Sequence, residues 1–293
     1  MPYADTTDGQ RLYWEEAGKG EAIVFVHEFG GSWFSWEPQM SAFARRYRCL
    51  TFAARGYPPS DVPADVSLYS QARAKDDIFD VMDAAGIDKA HLVGLSMGGF
   101  AVLHAAMARP DRVLSVVAAG AGYGAEKKFE AYFQNISAAV ADKFETLGAK
   151  AFAPTYGSGA SRVQFQNKDP IGWQVFVDRL AQHSDLGAAN TMRGVQMARP
   201  SLFDLQDALS DLDIPVLVMV GDEDDHCLQT ALYLKRTIPR CGLSILPKAG
   251  HTLNLEEPDR FNAELAAFLA EVAQGRWDRR DPRADPGQVM KIE

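Results

Sequence analysis

HLVGLSMGGF, residues 91–100, carries the pattern G-x-S-x-G from Gly94 to Gly98. Residues 89–94, KAHLVG, predict a short strand, and residues 97–110 predict a helix that ends at Pro110. A serine at such a sharp strand-to-helix turn projects its hydroxyl above the carboxyl edge of a sheet, where the helix dipole favours negative charge. The flanking glycines allow neighbouring backbone to pass closely. The pattern therefore predicts a nucleophilic serine at position 96.

Strands and helices alternate on both sides of this turn. The predicted strands are 11–17 at a sheet edge, 22–27, 48–53, 89–94, 112–120, 214–221 and 243–250. The predicted helices are 68–86, 97–110, 227–238 and 258–273. Alternation of this kind predicts an α/β fold with an open, mostly parallel sheet that is covered by helices on both faces.

Residues 122–210 interrupt the alternation, because they contain helical patterns and no strand of similar quality. We predict that residues 1–121 and 211–274 form the α/β core and that 122–210 form a helical cap over the sheet. Residues 275–293 are charged and contain two prolines. They predict an extended, weakly packed C-terminal tail.

A serine nucleophile needs a base, and the base needs an orienting carboxylate. His251 follows the last predicted strand, so it should lie at the same sheet edge as Ser96, and His226 is its rival. The segment GDEDDH, residues 221–226, follows another strand and offers several acids. We select Asp224, with Asp222 and Asp225 as alternatives.

The sequence disfavours two metal-binding interpretations. Asp222, Asp224 and His226 alternate along the chain, but the glycine and distal glutamate of a calcium loop are missing. His27-Glu28 would begin an H-E-x-x-H zinc motif, but position 31 is a glycine. We therefore predict no metal and no organic cofactor.

The charge and composition of the chain argue against some classes of binding partner. The 293 residues have a net charge of −9, which argues against nucleic acid and anionic membranes as partners. The three cysteines are far apart, which fits reduced thiols. The N-terminal segment MPYADTTDGQ has no signal-peptide pattern, and no apolar run approaches a membrane span. These features predict a cytoplasmic protein that acts on a small molecule, and they leave its oligomeric state open.

These segments together resemble the α/β-hydrolase superfamily, a serine-nucleophile, capped, esterase- or lactonase-like branch. The resemblance rests on HEFGGS, RGYPPSD, GLSMGG, GDEDD and AGHTLNLEEP, in the chain order Ser, Asp, His. It implies that the backbone N–H groups of Phe29 and Met97 form the oxyanion hole and that His27 braces its loop. This sequence has Glu28 where the family usually has glycine. We predict that the Glu28 carboxylate bonds within its own loop and does not contact Ser96.

The pattern favours a serine hydrolase that cleaves a carboxylic ester or lactone of a small, fairly apolar substrate. We expect Trp33, Tyr123 and Met192 to line its pocket. A serine at position 96 argues against the branches of this fold that use aspartate as the nucleophile. Two alternatives stay open: a carbon–carbon bond hydrolase of aromatic ring-cleavage products, and a ligand receptor with negligible turnover.

Overall fold

The structure, a computed structural model, describes residues 2–284. Its sheet has eight strands. They are β1 Tyr3–Asp5, β2 Arg11–Ala17, β3 Ala22–Val26, β4 Arg48–Phe52, β5 Ala90–Leu95, β6 Val113–Ala119, β7 Val216–Gly221 and β8 Cys241–Leu246.

The strands lie in the order β1-β2-β4-β3-β5-β6-β7-β8. β2 pairs antiparallel with both β1 and β4, and all other pairs are parallel. The prediction that residues 11–17 form an edge strand is wrong, because β1 pairs along their outer side. β1 has only three residues, which is too short for the alternation of side chains to reveal a strand.

The helices flank the sheet and fill the segment between β6 and β7. They are α1 Glu37–Phe43, α2 Gln71–Ala84, α3 Met97–Ala108, α4 Glu130–Leu147, α5 Ala149–Gly157, α6 Val163–Lys168, α7 Pro170–Leu180, α8 Asp185–Thr191, α9 Gln206–Ser210, α10 Asp225–Thr237, α11 Leu253–Glu256 and α12 Pro258–Ala273. None of the helices in the described part of the chain combines the length and hydropathy that a bilayer crossing requires.

Both faces of the sheet are buried. Along β3, Val24 and Val26 pack into a core with α2, α3 and α10, whereas Ile23 and Phe25 pack into a second core with α1 and α12. Because each strand alternates its side chains between the two faces, a parallel sheet covered on both sides needs apolar residues at every position. The predicted α/β fold class is confirmed.

Residues 122–210 form the helices α4–α9, and a third core joins them to the sheet edge. This core packs Phe144 of α4 and Phe176 of α7 with Phe29 and Tyr57. We call residues 122–210 the cap. Because its side chains share a core with the loops that follow the strands, the cap is held against the carboxyl edge of the sheet.

The predicted weak packing of residues 275–293 is wrong for the first part of that segment. The Trp277 indole N–H donates to the Arg240 carbonyl oxygen at 2.9 Å, and its ring meets Phe268 edge-on at 4.7 Å. The ring also covers Gly242, where no side chain would fit. Residues 285–293 lie outside the described residues.

Candidate active site

Ser96 lies at the turn between β5 and α3, in a conformation that few residues other than glycine adopt. Its φ is 54° and its ψ is −112°. The Ser96 N–H donates to the Ala119 carbonyl oxygen at 2.7 Å, which ties the turn to β6. A strained backbone that is hydrogen-bonded to β6 holds the serine at the N-terminus of α3, as a nucleophile elbow requires.

Glycines allow this turn to form because the backbone segments touch. A side-chain carbon built on Gly98 would lie 2.0 Å from the Val26 carbonyl oxygen, and one on Gly94 would lie 2.2 Å from the Gly98 oxygen. The first turn of α3 therefore lies against the end of β3. That contact brings the start of the loop that holds Phe29 next to the N-terminus of α3.

His251 and Asp224 meet beside this turn. His251 follows β8, Asp224 follows β7, and 2.7 Å separates Nδ1 of His251 from Oδ2 of Asp224. The two side chains are buried, with Asp224 only 1% exposed. Since Nδ1 is engaged by the carboxylate, Nε2 is the nitrogen of His251 that is left for proton transfer.

Burial alone would raise the pKa of Asp224, but attraction to His251 and their hydrogen bond outweigh it, so the pKa of Asp224 is lowered. The carboxylate is thus ionised at neutral pH although it is buried. An ionised, buried acceptor at Nδ1 holds one tautomer of the imidazole and stabilises the imidazolium when it forms.

The alternative acids and the alternative histidine have different surroundings from Asp224 and His251. Asp222 and Asp225 are exposed. His226 packs among the rings of Tyr123, Phe129 and Tyr132. Within residues 2–284, one cluster brings three potential metal-binding side chains together, and it consists of Asp224, Cys227 and His251. Asp222 and His226 therefore do not join Asp224 in a metal site.

The side chain of His27 braces the loop after β3, as the family resemblance implies. Nδ1 of His27 lies 2.7 Å from the Glu28 carbonyl oxygen, and Nε2 accepts the N–H of Ala54 at 3.0 Å. Burial lowers the pKa of His27 to about 4, so the ring is neutral. The Tyr57 hydroxyl donates to the Phe29 carbonyl oxygen at 3.0 Å. These bonds fix the backbone on either side of the Phe29 amide.

The prediction that Glu28 bonds within its own loop is wrong. Its carboxylate accepts a hydrogen bond from the guanidinium of Arg162, in the cap. Both side chains are buried, and 134 positions separate them in the sequence. The guanidinium compensates the charge of a carboxylate that is shielded from water, which would be costly to bury alone.

A cavity of about 300 Å³ lies between the cap and the sheet edge, and Ser96 and His251 form part of its wall. We call it the Ser96 pocket. Tyr123 and Met192 line it, in the position predicted for them. Phe133, Phe152 and Tyr156 add aromatic surface, and Arg162 and Gln196 add polar groups.

The prediction that Trp33 lines the pocket is wrong. Its ring packs against Tyr13 of β2 at 5.5 Å and against Phe34 at 5.6 Å. The Trp33 carbonyl oxygen accepts a hydrogen bond from Thr51 on β4. The ring contacts place the Trp33 side chain beside β2, and it is not among the residues that line the Ser96 pocket.

Comparison with known proteins identifies the family to which this fold belongs. A family model described as alpha/beta hydrolase fold matches residues 21–258. The chain belongs to the α/β-hydrolase fold family. The match runs from the start of β3 to the start of α12, so it includes Ser96, Asp224 and His251.

Individual relatives of this α/β hydrolase are similar over most of their length. It is 27% identical to 3-oxoadipate enol-lactonase 1 of Acinetobacter baylyi, over 86% of this chain and 89% of that protein. It is 28% identical to 2-hydroxy-6-oxo-6-phenylhexa-2,4-dienoate hydrolase of Burkholderia cepacia, over 89% of this chain and 91% of that protein.

Solved structures share the fold. A thermophilic esterase from Thermogutta terrifontis superimposes with a TM-score of 0.82 at 23% identity, covering 92% of this chain and 98% of the esterase. Together the relatives identify this α/β hydrolase as an enzyme of the hydrolase class.

Proposed function

We propose that the protein is a serine hydrolase that cleaves a carboxylic ester or lactone of a small substrate through Ser96, His251 and Asp224. The observation that carries the proposal is the 2.7 Å contact between His251 and a buried, ionised Asp224, beside a serine held at a strained elbow. All three groups lie at one end of the sheet, and Ser96 and His251 share one pocket.

The reaction would begin with attack of the Ser96 Oγ on the carbonyl carbon, while Nε2 of His251 takes the hydroxyl proton. The Phe29 and Met97 amides would hold the oxyanion. Met97 is the first residue of α3, so its N–H has no acceptor within the helix and is free to donate.

Collapse of the tetrahedral intermediate would break the bond to the leaving oxygen, which takes the proton from His251. An acyl-enzyme and an alcohol result; for a lactone, the alcohol stays tethered to the acyl group. Water would then attack the acyl carbon while His251 takes its proton, and the second collapse releases the acid and restores the Ser96 hydroxyl.

The pocket supports a small substrate with a partly apolar acyl group. Its volume of about 300 Å³ is at the lower end of ligand pockets, and four aromatic side chains line it. The similarity of this chain to 3-oxoadipate enol-lactonase 1 supports a lactone as one form of the substrate. The three described thiols are all free and buried, which supports a reducing, cytoplasmic location.

A second candidate is cleavage of a carbon–carbon bond, which the similarity to the Burkholderia cepacia dienoate hydrolase supports. The same serine, histidine and aspartate would serve this reaction.

The test compares three substrate sets with purified full-length protein: p-nitrophenyl esters of two to twelve carbons, γ- and δ-lactones, and a vinylogous diketone acid. We expect turnover of short esters or lactones that Ser96→Ala abolishes. Faster turnover of the diketone acid would favour the second candidate. No turnover of any set, with tight binding of one compound, would contradict both and favour a receptor.

A further inference from the structure

One buried ion pair joins the cap to the loop that precedes the proposed oxyanion donor. Glu28 is 2% exposed and Arg162 is 5% exposed. The carboxylate belongs to the residue immediately before Phe29, so a force on Glu28 acts directly on the peptide that carries the Phe29 N–H. Arg162 reaches it from a short turn of the cap, residues 159–162.

The same turn also contacts the loop of the proposed base. The backbone N–H of His251 donates to the Ser161 carbonyl oxygen at 2.8 Å. Gly250 lies so close to that oxygen that an added side-chain carbon would be 2.2 Å away. Residues 159–162 therefore contact both the oxyanion loop and the histidine loop.

Aromatic rings fix the position of the Arg162 guanidinium. It lies over the ring of Tyr156 at 4.8 Å and over that of Phe176 at 5.3 Å. The Phe29 ring in turn packs against Tyr156 at 5.6 Å. A cation held between two ring faces has little freedom, so it can set the position of the carboxylate that it binds.

The pair is not optimised for stability alone. Within the described residues, the Nε of Arg162 is buried and has no hydrogen-bond partner. A buried N–H without an acceptor is unfavourable, and an apolar pair of similar volume would avoid this cost. The arrangement is better explained by what it holds in place.

We propose that Arg162 is a positioning residue, which acts through Glu28 to fix the Phe29 amide in the oxyanion hole and thereby makes the hole depend on the cap. The inference rests on the proposed serine-hydrolase function. It also accounts for the glutamate at position 28, because its carboxylate is the group that Arg162 of the cap binds.

The experiment measures hydrolysis of p-nitrophenyl butyrate by Arg162→Met, Glu28→Gln and the double variant. Arg162→Lys keeps a cation beside Glu28 and serves as the milder variant where Arg162→Met folds poorly. The matched control is Arg179→Met, since Arg179 also joins cap to core, through Glu37 at 3.0 Å, but at an exposed site. Inhibition by a trifluoromethyl ketone, which forms a tetrahedral adduct at a serine, reports on the hole itself.

We expect Arg162→Met and Glu28→Gln each to lower kcat by roughly 10²–10³-fold, the scale of one oxyanion donor, with KM changed less than about threefold. Affinity for the ketone should fall in parallel with kcat. Arg162→Lys should lose about tenfold. The double variant should regain thermal stability relative to the singles, because neither charge is left unpaired, but it should not regain kcat.

Three results would overturn the inference: kcat of Arg162→Met and Arg162→Lys within threefold of wild type, a rise in KM with kcat unchanged, or recovery of kcat together with Tm in the double variant. Any of these with an active wild type would leave the proposed function intact. A wild type that neither hydrolyses the ester nor binds the ketone would overturn both.

Discussion

Asp224→Asn isolates the charge that the proposed mechanism assigns to the buried acid. Asparagine has the same shape, so it can occupy the space of a side chain that is 1% exposed. Its amide can donate to Nδ1 of His251, which the carboxylate cannot. The proton of the neutral imidazole would then move to Nε2, and the ring could no longer accept a proton from Ser96.

The expected loss follows from the geometry. When His251 becomes protonated, opposite charges about 4 Å apart attract by roughly 4 kcal/mol at an effective dielectric constant of about 20. Loss of that attraction corresponds to about 10³ in rate. The unfavourable tautomer increases the loss, so we expect kcat to fall by roughly 10⁴ with KM little changed.

The assay is the steady-state hydrolysis of the best ester, with circular dichroism and thermal melting to show that the variant is folded. Asp222→Asn and Asp225→Asn are matched controls, because both acids lie within two residues of Asp224 in the sequence and are exposed. They should retain kcat within about threefold. Asp224 is not the orienting acid if either control loses as much activity as Asp224→Asn, or if folded Asp224→Asn keeps more than a tenth of the activity.

Three other predictions concern the pocket, acid stability and the C-terminal segment. Met192→Ala should shift the preferred ester by one or two carbons toward longer chains, whereas Trp33→Ala should leave the chain-length profile unchanged; identical profiles for both would contradict the pocket assignment. Burial, followed by the nearby His27, lowers the pKa of His183 to about 3, so as pH falls below about 6.5 the unfolded chain takes up this proton before the folded chain does. Protonation of His183 should therefore lower the unfolding free energy of wild type by about 2 kcal/mol between pH 7 and pH 5. His183→Phe should lack this part of the decrease in urea titrations. An equal loss of unfolding free energy in wild type and in His183→Phe would show that His183 does not cause the loss. Trp277→Ala should lower the unfolding free energy by about 2 kcal/mol, because the ring packs on Phe268, and a change below about 0.5 kcal/mol would show that this contact is unimportant.

Much of the site could be predicted because its signals are local in sequence. The glycines around Ser96 have fixed spacing, since backbone contact leaves no room for side chains at Gly94 and Gly98. Asp224 and His251 each follow a parallel strand, and the ends of parallel strands meet at one edge. The order of these residues along the chain was therefore enough to suggest which of them come together.

Contacts with the cap could not be predicted in this way. Arg162 lies in the sequence GASRV, where no motif marks it, and its partner Glu28 is 134 positions away. The position of Trp33 was predicted wrongly because an aromatic residue after this loop can pack toward the pocket or toward β2, where the Trp33 ring contacts Tyr13. Both outcomes depend on which surfaces meet in three dimensions.

The most direct test of Ser96 as the nucleophile is to label it covalently with a probe that reacts with activated serines. The protein is treated with a fluorophosphonate probe, digested, and mapped by tandem mass spectrometry, and Ser96→Ala is treated in parallel. The proposed role of Ser96 predicts one modified residue, Ser96, with labelling that tracks the loss of esterase activity and is absent in Ser96→Ala. Labelling at another residue, or full activity after Ser96 is labelled, would contradict it.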